Sequence, residues 1–491
     1  MNFNLFKNKA VMLAVIISVF IMITGVLVGQ DTTEVSQPVS EAIAELPQEE
    51  VSTQNQMEGA GFSLTSLLRG ILGIFTILCL AYLLSANRKK IAWRTILGGL
   101  SIQVVIAVLV LKVSAAQAVI EFVGKAFIKV LNFTEVGSVF MFGELIDQDS
   151  VGFMFAFQIL PTIVFFSALS SVLYYYGVIQ VVVKGFAWVM TRLLGLSGAE
   201  SLSATGNIFL GQTESPLLIK AYLEKMTKSE ILLVMVGGMA TIAGGVLAIY
   251  IKFLGGNNPA EQILFAKHLI TASVMAAPGA VVLAKLLLPQ TEEVSKAVAV
   301  SKDKIGSNIL DAITNGTTDG VRLAVNVGAM LLVFIAFMAF LNYLFLLLGD
   351  ITNLNAWIAD VTGGRYEAFS LQFILGYCMA PFMWLIGVPS PDITLVGQLL
   401  GEKIILNEFI AYTSMKDLMA ARAFQDPKSI IIATYILCGF ANFSSIGIQL
   451  GGIGALAPSK REMLSKLGFR ALLGGAMASV LSATIIGMIL G

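Results

Sequence analysis

The chain has 491 residues, of which 57% are hydrophobic and 13% charged, about half the charged fraction of soluble globular proteins. So few charges cannot cover a water-facing surface of this size, which excludes a string of soluble domains and puts the chain in a lipid bilayer. Thirty-one basic and thirty-one acidic residues cancel, leaving no cationic surface for nucleic acid, and one histidine leaves little material for histidine or zinc chemistry. Cys79, Cys378 and Cys438 lie in apolar runs without metal-like spacing and read as small core residues.

In chain order, residues 1–30 come first. Lys7 and Lys9 precede an apolar run from Ala10 to Gly29, the layout of a signal peptide or an N-terminal anchor. Residues 31–63 carry seven carboxylates and no Lys or Arg, and read as an acidic extracytoplasmic tether. The span Leu67–Ala86 ends in Arg88, Lys89, Lys90 and Arg94, which marks this loop as cytoplasmic. Further spans are expected at Thr95–Lys112, Phe153–Val178, Ile231–Phe253, Leu264–Leu288, Val325–Leu348, Ile430–Leu456 and Ala471–Leu490. Residues 116–135 and 180–197 have isolated charges at helical spacing and are expected to lie in the interface, with a third such helix around Asn315, Asp319 and Arg322. His268, beside Lys267, is expected at the interface too.

Two stretches do not read as ordinary spans. Residues 198–227 and 370–413 each hold two apolar runs too short to cross singly, broken at Gly211–Pro216 and at Gly387–Pro391. Paired, such runs make re-entrant hairpins, and non-helical backbone at membrane depth implies a cavity beside it. Gly238-Met239-Ala240-Thr241-Ile242 is echoed by Gly439-Phe440-Ala441-Asn442-Phe443, each inside the span that follows a hairpin. A hairpin followed by a Gly-interrupted span, twice over, is the trace of a structural repeat, and transporters place their sites where repeats meet. The organisation is therefore 64–197 scaffold and interfacial helices, 198–288 first transport repeat, 289–350 charged linker with an interfacial and a scaffold helix, and 351–491 second transport repeat.

Glu214 and Glu408 are the sharpest chemical signal. A carboxylate at membrane depth costs about 2.5–3.5 kcal/mol or more unless it has a partner, which is an ion, a substrate hydroxyl or a lysine such as Lys403. Asn442, Ser444 and Ser445 form a polar cluster in a Gly-rich span, and Thr241 with Gly244 and Gly245 repeats the combination. Local unwinding there would free carbonyls to hold a cation or a ligand. Asn207 supplies one more amide.

These same segments carry a resemblance. Gly211-Gln212-Thr213-Glu214-Ser215-Pro216-Leu217-Leu218, Lys225-Met226-Thr227, Asn407-Glu408-Phe409-Ile410-Ala411-Tyr412, the run Cys438–Gly447 and the run Gly451–Pro458 resemble the hallmark stretches of concentrative nucleoside transporters, in order, over about residues 64–491. The resemblance implies an all-α polytopic membrane protein, a homotrimer whose protomers have eight transmembrane helices, two re-entrant hairpins and interfacial helices. It implies a symporter of nucleosides rather than an enzyme. Gln212, Thr213 and Glu214 would face the base; Glu408, Asn442 and Ser445 would hold the ribose, with Val246 and Phe440 as apolar walls. Asn207, the Leu210 carbonyl, Thr241 and the Ile242 carbonyl would hold sodium. Sodium is the only cofactor-like partner expected, and the retained Gln-Thr-Glu stretch favours it over a proton. Gly211 and Gly245 are expected to leave room for both uridine and adenosine. A symporter of another small polar solute is the competing reading. The expected location is the cytoplasmic membrane, with residues 31–63 outside and the Arg88–Arg94 loop inside.

Overall fold

The computed structural model describes residues 63–147, 151–152, 154–256, 258–294 and 306–491; the expected anchor and all but the last residue of the acidic tether lie outside these. Among the described residues there are helices and no strands, as hydrocarbon demands of a chain that must pair every peptide group internally. The first helices are α1 (Leu64–Leu83), α2 (Trp93–Lys112), α3 (Ser114–Phe142), α4 (Leu160–Tyr175) and α5 (Val178–Leu194). Then come α6 (Gly198–Gly206), α7 (Lys228–Ala240), α8 (Gly244–Gly255), α9 (Pro259–Leu287) and α10 (Ile309–Thr352). The rest are α11 (Leu354–Val361), α12 (Leu371–Leu385), α13 (Ile393–Ile405), α14 (Glu408–Ala420), α15 (Pro427–Leu437), α16 (Phe443–Leu456) and α17 (Arg461–Leu490).

Eight helical segments among the described residues are long and apolar enough to cross a bilayer, the expected number but not the expected set. The residues expected as an interfacial helix, 116–135, lie within α3, whose 29 residues run unbroken for about 43 Å, longer than the helix expected. Its charges find partners: Lys125 Nζ lies 2.7 Å from Glu121 one turn away, and Lys252 reaches Glu135 at 3.4 Å. The third interfacial helix does not stand alone either. Asn315, Asp319 and Arg322 belong to the first turns of α10, 44 residues long, and Asp319 and Arg322 face each other on its exposed surface. Conversely, the expected spans Ile231–Phe253 and Ile430–Leu456 are both interrupted, at Thr241–Ala243 and at Cys438–Asn442. His268 is not interfacial: it is buried, with Nδ1 3.4 Å from the Tyr435 hydroxyl.

The order of elements repeats. A short helix (α5, α12) leads to a helical pair, then to a broken helix (α7 with α8, α15 with α16), then to a long unbroken helix (α9, α17). In the first repeat the pair is α6 and the turns Ser215–Ile219 and Lys220–Leu223, separated by irregular chain over 207–214. In the second, α12 packs on α13 across Gly387–Pro391, and α13 packs on α14 across Leu406-Asn407 alone. Glu408 opens α14, so it belongs to the later turn, one helix beyond the break at Gly387–Pro391. Capping boxes fix two of the starts: Ser197 with Glu200 at α6, and Thr227 with Glu230 at α7. Glu200 also pairs, fully buried, with Lys285 at the end of α9, which ties the base of the first hairpin to the repeat's long helix.

Burial separates core from shell. Of the best membrane-length window, 89% is buried in α9 but only 6% in α10, so α7, α9 and α17 form the interior while α1, α2, α3 and α10 present apolar side chains outward. α4 and α10 meet through small residues. A Cβ added at Gly320 would lie 2.8 Å from Val164 Cα, and one at Gly316 2.5 Å from Ser171 Oγ, so these glycines set how closely the two backbones approach. Gly320→Leu should destabilise the protein by about 1–3 kcal/mol through overpacking, read as a lower melting temperature in detergent; an unchanged melting temperature would mean that the α4–α10 contact is not tightly packed.

Candidate binding site

Both helix breaks expose peptide groups that the surrounding chain must satisfy, and the side chains that do so form the site. Asn442 is the N-cap of α16. Its Oδ1 accepts from the Ser445 backbone N–H at 2.9 Å and from Ser444 Oγ at 2.7 Å. A backbone N–H can only donate, so the cap fixes the amide orientation and turns Nδ2 toward Glu408, to whose Oε2 it donates at 2.8 Å. Glu408 is itself set by Asn407, the N-cap of α14, whose Oδ1 accepts from Ile410 N–H at 3.0 Å. Tyr250 of α8 donates to Glu408 Oε1 at 3.5 Å and packs, tilted, against Tyr412 with ring centroids 4.1 Å apart. The second repeat's carboxylate thus touches the first repeat's broken helix.

Lys403 is not the partner of Glu408. Its Nζ donates to the Ile436 carbonyl at 2.8 Å and to Ser479 Oγ at 3.2 Å. Glu408 therefore keeps neutral donors only, and remains available to a ligand's hydroxyls.

From the first hairpin, Gln212 Nε2 donates to Ser445 Oγ at 3.3 Å, while its Oε1 accepts from Gln449 Nε2 at 3.1 Å. Gln449 also donates to the Met235 carbonyl at 3.0 Å, which fixes its own orientation and hence that of Gln212. Glu214, half-buried, turns its Oε2 to the Gly211 N–H at 3.2 Å. It lines a narrow cavity with Val246, Gly244, Gly245 and, from α4, Phe166, Ser167 and Ser170. Thr213 directs its methyl at Gly452 of α16. Phe440 is half-buried in the second break. The structure therefore gathers Gln212, Glu408, Asn442 and Ser445 through direct or single-step contacts, and sets Glu214 with Val246 in an adjoining cavity. Gly245 does not leave the room expected of it, since a Cβ there would be 3.0 Å from Phe166 Cβ.

Around the first break lie oxygens without donors. Asn207 is buried, and neither atom of its amide has a hydrogen-bond partner among the described residues. Its Nδ2 sits against Gly237, the residue whose carbonyl takes the Thr241 hydroxyl proton at 2.9 Å. A hydroxyl that donates to a carbonyl keeps its lone pairs for something else. Among the described residues the Leu210 and Ile242 carbonyls accept no hydrogen bond. Neutral amide, hydroxyl and carbonyl oxygens suit a hard monovalent cation.

Sequence reasoning missed Tyr250, Tyr412 and Gln449. Gln449 had a signal, lying two helical turns after Asn442 on the same face; the tyrosines had none, because their role depends on how α8 meets α14.

The C-terminal model of the "Na+ dependent nucleoside transporter" family matches residues 268–487, its N-terminal model matches 72–145, and the "Nucleoside recognition" gate model matches 156–257. An uncharacterized transporter of Haemophilus influenzae is 40% identical over 87% of this chain and 98% of its own length. Sodium/nucleoside cotransporter 1 of Rattus norvegicus is 39% identical over 85% of this chain, which spans 63% of that relative. The solved structure of CNTnw in an inward-facing substrate-bound state is 37% identical, covers 86% of this chain and 99% of its own, and superposes with a TM-score of 0.78.

The second break contains Gly439, with φ of +128°, where an added Cβ would lie 2.6 Å from the Ala240 carbonyl oxygen at the first break. Gly439→Ala should cost about 1–3 kcal/mol of stability from backbone strain, with the clash added. Gly447→Ala, four residues into α16 with nothing within 4 Å of its new Cβ, should be neutral or slightly stabilising. Thermal unfolding of the two variants checks the contrast; equal melting temperatures would mean that the breaks are not in backbone contact.

Proposed function

The chain belongs to the Na+-dependent nucleoside transporter family, and on that premise we propose that it imports ribonucleosides, uridine among them, in symport with sodium. It is a multi-pass membrane protein and not an enzyme. The observation that carries the reading is the buried pair of Glu408 and Asn442 at the meeting of the two repeats, with Gln212 and Ser445 beside it. A ribose offers two vicinal hydroxyls. The Glu408 carboxylate can accept from both, and Asn442 Nδ2, held outward by its cap, can donate to one of their oxygens. A sugar lacking those hydroxyls would leave both groups buried and unpaired, which is how such a site rejects it. Glu214, Gln212 and Thr213 would then meet polar edges of the base, with Val246 and Phe440 closing on its faces.

Sodium would be held by Asn207, Thr241 and the Leu210 and Ile242 carbonyls. Asn207 and Leu210 lead directly into the turn that carries Gln212, so a cation there would hold the turn in register for substrate. Coupling follows by linkage: sodium tightens nucleoside binding, and nucleoside must tighten sodium binding by the same factor. The protein would work as a homotrimer in the cytoplasmic membrane.

Uridine should accumulate in proteoliposomes only under an inward sodium gradient. Uptake that persists without sodium and collapses with a protonophore would make this a proton symporter, with Glu214 or Glu408 as the carrier. Glu408→Gln should weaken uridine binding by one to two orders of magnitude, taking a charged hydrogen bond as worth about 1.5–3 kcal/mol, while the protein still inserts and folds; normal affinity in a folded variant would show the residue to be structural. Thr241→Val keeps the volume and deletes the hydroxyl. It should raise the sodium concentration for half-maximal uptake more than it raises the uridine KM at saturating sodium, and the reverse order would move the ion elsewhere.

A further inference from the structure

Away from the two breaks, a cleft of about 560 Å³ opens where the start of α2 meets the end of α5. Ala92, Arg94 and Thr95 line it from one side, and Trp188, Thr191 and Arg192 from the other. The two helices are joined there by the Thr95 hydroxyl, which donates to the Leu194 carbonyl at 2.9 Å. Thr191 ties α5 to the first hairpin by donating to Ser201 Oγ of α6 at 2.7 Å. Both hydroxyl protons are thus spent within the protein, and the two guanidiniums are the charged donors left to the cleft.

No carboxylate lines the cleft, and among the described residues neither Arg94 nor Arg192 makes an ion pair. Arg192 lies over the Trp188 ring, 5.7 Å from its centroid. Nearby Arg88 is spent on the Tyr82 and Leu83 carbonyls at the end of α1. α2 adds to the positive end, because it starts at Ala92 without a side-chain cap and with no acid in its first turn, so its first N–H groups and its dipole favour an anion. Two like charges at one cleft repel unless an anion sits between them, and the planar fork of arginine matches the oxygens of a phosphate. The surroundings favour one kind of phosphate. Val183, Ala187 and Leu194 of α5 are buried while Trp188, Val189 and Leu193 are exposed, so α5 rests one face on the protein and turns an apolar face to lipid. A tryptophan and an arginine at that boundary sit at headgroup level. We propose that the cleft binds the phosphate of an anionic lipid headgroup, on the side that Arg88–Arg94 mark as cytoplasmic, and so pins α2 to α5 at the base of the first hairpin. A soluble phosphate offers the same charge and oxygens but no acyl chains to cover the apolar face of α5.

The test reads the melting temperature of the full chain in a neutral detergent, titrated in parallel with short-chain phosphatidylglycerol, short-chain phosphatidylcholine and inorganic phosphate. It needs no transport, so it stands apart from the nucleoside reading. Phosphatidylglycerol should raise the melting temperature by about 3 °C at saturation, and the other two should leave it unchanged. A rise as large with phosphatidylcholine overturns the proposal; a rise as large with inorganic phosphate assigns the cleft to a soluble anion and overturns the lipid as its occupant. Arg94→Gln combined with Arg192→Gln should abolish the rise. Lys89→Gln combined with Lys90→Gln removes as much charge from the same side, outside the cleft, and should leave the rise intact. A rise that survives the arginine variant overturns the proposal. So does a rise that the lysine variant loses equally, since the attraction then belongs to the whole basic surface. If the double arginine variant cannot be recovered folded, Arg192→Gln alone should weaken phosphatidylglycerol binding about fivefold, and an unchanged affinity overturns the proposal.

Discussion

A helix interrupted inside a bilayer leaves peptide groups that lipid cannot solvate, and this protein interrupts two of them side by side. Most of the site follows from satisfying those groups. Asn442 and Asn407 sit where they do because a helix restarting in the interior needs an N-cap. Caps are oriented by the backbone they serve, so each presents a fixed outward group. The hydrogen bonds that cap α16 also aim the Asn442 amide at Glu408, which is why Glu408 can be held in the interior without a lysine against it.

The interior is correspondingly electrostatic in a sparing way. Among the buried charges, those of the first hairpin base and of the second break have different solutions. Glu200 and Lys285 neutralise each other at the base of the first hairpin. Lys403 is spread over a carbonyl and a hydroxyl, and Glu408 over an amide and a phenol. The first arrangement is closed to ligands because both charges are spent on each other. Glu408, by contrast, rests on neutral donors that a better donor can replace.

Much of this was legible beforehand. The repeated order of elements was signalled by a five-residue echo that falls on the two breaks. Glu214, Glu408, Asn442 and Thr241 stood out because polar residues in apolar surroundings are rare. What stayed hidden was decided between elements. How far α3 runs beyond 116–135 was not marked by its charges, which pair with one another and with Lys252 of another helix. Which of two breaks in the second repeat holds Glu408 depends on how three helices fold back on one another, and Pro and Gly mark the wrong one more loudly. Tyr250 reads as any aromatic in an apolar helix until α14 is placed beside it. Gly245 looked like space for a ligand, yet that space belongs to Phe166.

The length of α10 has a consequence outside the site. Its apolar part, Val325–Leu348, is about 36 Å long at 1.5 Å per residue, against a hydrocarbon thickness of about 30 Å. Such a helix has to tilt, or thicken the lipid around it. α4 is locked to it through Gly316 and Gly320, and α4 supplies Phe166, Ser167 and Ser170 to the cavity that holds Glu214. The helix that must fit the bilayer's thickness is thus packed against the one that walls the Glu214 cavity.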